Sequence, residues 1–220
     1  MDESELGQRK VRLFRVSTKY IDDPPIYQEE RGLFHVMVQG KNVTVDNACA
    51  KQMVKSALRA LEIARKIAPG FPADFTFYCV ARMGGYLNIA GQIDDKFIND
   101  NDPDNQVAAV LHELVELWQE DQARSISRNA EILPTLAEFL FTGQKRLAGF
   151  RKRFKASFTG QTKLRQDKAW PEIAKIVLPE ALDQSPEELF NLMERTRNLP
   201  ENEKVTLIQK AIEQAKQKQE

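Results

Sequence analysis

Between Asn47 and Ala68 apolar side chains recur at three- and four-residue steps: Ala50, Met53, Val54, Ala57, Leu61, Ala64 and Ile67. That spacing places one apolar stripe along a long helix. Asp46 and Asn47 are suited to cap its start, Pro69-Gly70 ends it, and Lys51, Lys55, Arg59 and Lys66 decorate the other side. An amphipathic helix of this length needs a layer to pack on, and its flanks offer strand-like runs. Residues 11–16 alternate, Leu33–Val38 and Asn42–Val45 read as strands joined at Gln39-Gly40-Lys41, and Phe75–Val80 and Tyr86–Ala90 are rich in β-formers. The expectation is an α+β fold: a mixed sheet with this helix as its backing.

Helices dominate the second half. Asp102-Pro103 supplies an N-cap and a proline at the first helical position of a helix running to about Asp121. Another covers roughly residues 131–141 and stops at Gly143. Beyond it the pattern predicts helices over 169–182, from the capping box Ser185-Pro-Glu-Glu188 to Arg195, and over 202–218. The division expected is an α+β domain over 1–143, a basic connector or amphipathic helix over 144–168, and a helical tail over 169–220.

Composition excludes several classes. The chain has 220 residues, 42% hydrophobic and 29% charged, which is ordinary globular composition. No apolar run approaches a membrane span, and the first ten residues lack the apolar core of a signal peptide, so a cytoplasmic protein is expected. Two cysteines, Cys49 and Cys79, are too few for a disulfide scaffold, and two histidines, His35 and His112, exclude a His-rich site. The net charge of zero conceals polarity: Asp94 to Glu138 carries eleven acids against three bases, and Lys145 to Lys168 nine bases against one acid.

Within 103–121 the residue types and spacing point to chemistry. A helix advances about 100° per residue, so His112 and Glu116 share a face one turn apart. Val107, Leu111, Leu114 and Trp118 form the core stripe, and His112, Glu113 and Glu116 fall on the other side. The plain alternative is a solvated acidic face with one stabilised histidine.

The segment His112-Glu113-Leu114-Val115-Glu116 differs by one residue from the H-E-x-x-H helix of zinc metallopeptidases. With the preceding strands and backing helix, residues 10–143 resemble the zincin fold, particularly its gluzincin branch. The resemblance implies a metallopeptidase-like hydrolase in which His112 is a metal ligand and Glu113 the general base for a metal-bound water. Glu116 stands where the family has its second histidine. Glu131 and Glu138, on the following helix, are both candidates for the third ligand, and the strand Tyr86–Ala90 would be the edge to which a peptide or protein substrate adds. One histidine and two carboxylates leave a zinc site neutral, which weakens the Lewis acid and shifts preference from Zn2+ toward harder ions such as Mn2+, Fe2+ or Mg2+.

Two other readings are open. A catalytically inactive zincin-like interaction module would use the edge strand and the basic helix as contact surfaces. A nucleic-acid-associated protein would act through 145–168, where Phe150, Phe154 and Phe158 interleave with bases at four-residue steps. A docked amphipathic helix explains that segment as simply, and the neutral chain argues against a dedicated nucleic-acid binder. His35 reads as an ordinary sheet residue, and Cys49 and Cys79 as core thiols.

Overall fold

The computed structural model describes residues 11–13, 27–31, 34–38, 47–68, 78–80, 92–94, 102–121, 130–162 and 167–217. Seven α-helices lie among them: α1 (Asn47–Ile67), α2 (Pro103–Asp121), α3 (Ile132–Phe141), α4 (Leu147–Phe158), α5 (Trp170–Val177), α6 (Pro186–Thr196) and α7 (Glu201–Gln217). Five short backbone strands precede or interrupt the first two helices: β1 (Val11–Leu13), β2 (Tyr27–Arg31), β3 (Phe34–Val38), β4 (Tyr78–Val80) and β5 (Gln92–Asp94). Strand β3 runs parallel to β1 and β4 and antiparallel to β2, and β4 runs parallel to β5.

The expected α+β, zincin-like mixed-sheet fold is corrected by where the core lies. Of the residues whose side chains are described, 84% are helical and none lies in a strand. The described core draws all its members from the helices and the turns joining them. The physical reason is the aromatic content of the second half. Phe139 of α3 meets Phe150 of α4, Trp170 of α5 and Phe190 of α6 edge-on, with centroids 5.3–6.0 Å apart. Phe154 stacks on Phe158 at 4.7 Å and also touches Trp170 and Phe190. Large rings bury much apolar area and gain about 0.5–1.5 kcal/mol per well-oriented pair beyond it. They join α3 to α4, α5 and α6, so residues beyond Gly143 share one core with α1, α2 and α3. The segments expected at 42–45 and 86–90 lie outside the described residues.

Local signals set the helix ends. Ser185 and Glu188 form the capping box: the Ser185 hydroxyl accepts from Glu188 N–H, and the Glu188 carboxylate accepts from Ser185 N–H at 3.1 Å. Asp102 precedes α2, and its carboxylate accepts from Asp104 N–H at 3.1 Å. At the far end of α1, Arg59 and Lys66 both pair with Glu201 at the start of α7. No helix among the described residues is long and apolar enough to cross a membrane.

Helix α2 packs between α1 and α3. On one side the Ser56 hydroxyl donates to Gln106 Oε1 at 2.9 Å, joining α1 to α2. On the other, three contacts fix α3 antiparallel to α2. Asn105 Oδ1 accepts from Gly143 N–H at 2.9 Å, His112 faces Glu138, and Gln119 Nε2 donates to the Ala130 carbonyl at 2.9 Å. Close approach at the first of these is possible because residue 143 is glycine. A Cβ there would meet the Asp102 carboxylate carbon at 2.7 Å and Asn105 Oδ1 at 2.9 Å.

Candidate metal centre

The site is built from one turn of α2 and the facing stripe of α3. The alternative of a solvated acidic face does not hold at His112: α3 covers the imidazole, and His112 is only 5% exposed. The cover is possible because α3 is apolar almost all round, with every residue from Ile132 to Leu140 buried. Glu131, Thr135 and Glu138 interrupt its apolar surface at i, i+4 and i+7, which places them on one stripe.

Ligand atoms of His112, Glu113 and Glu116 all lie within 4.8 Å of one another. His112 Nδ1 stands 3.1 Å from Glu138 Oε2, and Nε2 stands 3.9 Å from Glu131 Oε2. The other Glu138 oxygen accepts from Arg146 Nη2 at 2.6 Å. Glu138 is therefore held between an imidazole and a guanidinium, behind His112, and is not a member of the three-residue cluster. Glu131 reaches His112 at longer range. The structure thus brings all five expected residues together but gives Glu138 a supporting geometry. A carboxylate that holds one imidazole nitrogen fixes the ring and its tautomer for whatever the other nitrogen binds.

The electrostatics follow from burial and pairing. Burial pushes His112 down, but the Glu138 contact and the surrounding glutamates outweigh it and raise it from 6.5 to about 9. Burial pushes Glu138 up, yet His112, Arg146 and Arg153 hold it down at about 2. Glu113 has no such partner: burial first, and the neighbouring carboxylates after it, raise it to about 8 despite the opposing pull of His112. At neutral pH the cation-free site is thus an imidazolium paired with a carboxylate beside a protonated glutamic acid. A divalent cation would displace those protons, because its ligands must be deprotonated. The donor set, one imidazole with carboxylates, suits such an ion.

Arg146 joins the site through Glu138 and was not among the sequence candidates. No local signal marks it, because it reaches Glu138 across the break at Gly143. Thr135 shares the stripe of Glu131 and Glu138 in an otherwise apolar helix.

Three arginines of the basic segment are engaged within the chain, while Lys145, Lys152, Lys155 and Lys168 are exposed. Arg146 pairs with Glu138, Arg151 with Glu187 and Glu194, and Arg153 with Asp167. Phe150 and Phe154 are core residues. Only one face of α4, with Lys152 and Lys155, is exposed.

No protein-family model matches this chain, and no curated protein and no solved structure matches it either.

Proposed function

We propose that this chain is a divalent-metal-dependent hydrolase of peptide-like substrates, with His112 and Glu116 holding the cation and Glu113 as its acid–base group. The observation that carries the reading is the convergence of His112, Glu113 and Glu116 within 4.8 Å, in a wall where Glu138 holds the imidazole from behind. When bound, Zn2+ or a harder ion such as Mn2+, Fe2+ or Mg2+ supplies Lewis acidity toward a carbonyl oxygen and toward water. The protein's part follows from its own groups. Glu138 orients His112 through Nδ1, and Arg146 keeps Glu138 ionised for that task. Glu113, at about 8 in the cation-free site, lies near the range in which a carboxyl group both takes and returns a proton at neutral pH. The peptide-like substrate is supported by the H-E-x-x-E pattern on α2.

The test is elemental analysis of protein purified without chelator, followed by hydrolysis assays on a broad panel of fluorogenic peptides. One equivalent of metal is expected, lost in His112→Ala and Glu116→Ala. Glu113→Gln should lower turnover by at least about a hundredfold, the scale of a lost general base. Absence of stoichiometric Zn, Mn, Fe or Mg sinks the reading. Metal without turnover on any peptide would leave a binding module instead.

A further inference from the structure

On the facing stripes of α2 and α3, Thr135 Oγ1 and Gln119 Oε1 are buried without a hydrogen-bonding partner. Thr135 is fully buried and Gln119 is 4% exposed. Natural proteins rarely leave such atoms unpaired, and an unpaired buried hydroxyl is destabilising beside an apolar group of the same shape. Each one therefore asks what it binds.

The location of Thr135 follows from the helices. It lies between Glu131 and Glu138 on their shared stripe of α3, about 6 Å along the axis from the first and about 4.5 Å from the second. Both glutamates reach His112 from that stripe. The antiparallel contacts at Asn105–Gly143 and Gln119–Ala130 set the level of Thr135 at the α2 turn that carries His112 and Glu116. A helical threonine commonly returns its hydroxyl to the carbonyl four residues back. Here the Glu131 carbonyl accepts the Thr135 backbone N–H at 3.0 Å, while the hydroxyl stays unpaired. Gln119, one turn beyond Glu116, leaves a second oxygen unpaired on the facing stripe, its amide nitrogen being fixed by Ala130.

We propose that Thr135 Oγ1 is a neutral oxygen donor to the cation held by His112 and Glu116, and that it biases the site toward a hard divalent ion of the Mn2+ class over Zn2+. This deepens the metal-dependent reading and rests on it. A hydroxyl adds a donor without adding charge to a site already rich in carboxylates. Oxygen-dominated sets with more than four donors favour Mn2+ or Mg2+, whereas zinc is satisfied by four ligands with nitrogen or sulfur among them. Thr135 is placed to contribute from α3 while the other donors come from α2, so the ion would clasp the two helices.

The full chain, stripped with chelator, would be titrated with MnCl2 and separately with ZnCl2 by calorimetry, and melted with and without each salt. Thr135→Val keeps the side-chain shape and removes only the hydroxyl. The expected result is Mn2+ binding weaker by about tenfold or more, the scale set by lost metal-site partners. Zn2+ binding should weaken less, Thr135→Ser should restore Mn2+ affinity, and the metal-free Thr135→Val protein should melt no lower than wild type. Unchanged Mn2+ affinity and Mn2+/Zn2+ ratio in Thr135→Val would overturn the role of Thr135 and leave the metal site standing. A loss that Thr135→Ser fails to rescue would also overturn it, as a packing effect. Wild-type protein that binds neither ion would overturn this inference together with the metal-dependent reading.

Discussion

Replacing Glu138 by glutamine in metal-free protein removes the charge that serves both His112 and Arg146 while preserving volume. In the wild type the two Glu138 oxygens face two donors, His112 Nδ1–H and Arg146 Nη2. Glutamine offers one oxygen and one NH2 group, so one buried donor must face another. The rise of His112 from 6.5 to about 9 corresponds to about 3 kcal/mol between its two protonation states. Breaking a buried pair costs about 3–5 kcal/mol when the partner cannot shed its charge. Here the imidazole can lose its proton, so a cost of about 3 kcal/mol at pH 6 is expected, or a fall in Tm of about 6–12 °C for a chain of this length. The sign of the pH dependence is fixed by the two shifts. His112 has a raised folded value, so its stabilisation is complete below 6.5 and is lost as pH rises through about 9. Glu138 has a depressed value of about 2, so its stabilisation is present above 4.5 and is lost as pH falls toward 2. The cost of Glu138→Gln should therefore peak between pH 4.5 and 6.5 and fall to roughly 1 kcal/mol near pH 9.5, where a neutral imidazole can accept from the glutamine amide. Urea denaturation of both proteins at pH 6 and pH 9.5 reads this directly. An equal cost at both pH values would refute the ion pair as the source of the stability.

Two further substitutions test the frame around the site. Gly143→Ala should destabilise by about 1–3 kcal/mol, the usual result of overpacking, because the new methyl meets Asp102 and Asn105 at the joint of α2 and α3. A Tm within a degree of wild type would show that this approach is not tight in solution. Arg153→Ala should cost about 3 kcal/mol in thermal or urea unfolding, because Asp167, whose side chain is 5% exposed, then keeps only the Thr162 hydroxyl as a side-chain partner among the described residues. If instead that variant folds normally and loses nucleic-acid affinity, the arginine serves a surface contact.

Much of the helical order was legible because its signals are local. The apolar stripe Ala57, Leu61, Ala64 defines α1, Asp102-Pro103 opens α2, and Ser185 with Glu188 opens α6. The strand-like runs carried less information than their composition implied, because β-propensity does not say which layer holds the core. The weight falls on rings that sequence spacing cannot pair, such as Phe139 against Phe150, Trp170 and Phe190. The candidate site divides along the same line. His112, Glu113 and Glu116 lie within one turn and a residue of each other, so helix geometry alone brings them together. That α3 buries His112 depends on a helix with almost no polar face, whose azimuth no local pattern reveals.

Glu138 shows why the distinction matters for function. By spacing alone it is one more acid of the kind a metal would use. Three-dimensional contact with Arg146 makes it the ionised support of His112, joining the acidic segment to the basic one that follows. The same charges that look like two opposed surfaces in the sequence meet here in a buried pair, and the basic stretch loses an arginine to the site. A cation at His112 would take the place of an imidazole proton, and the carboxylate held behind the ring would keep it oriented and basic toward that ion. On that reading the Glu138–Arg146 pair would serve cation binding as well as the fold.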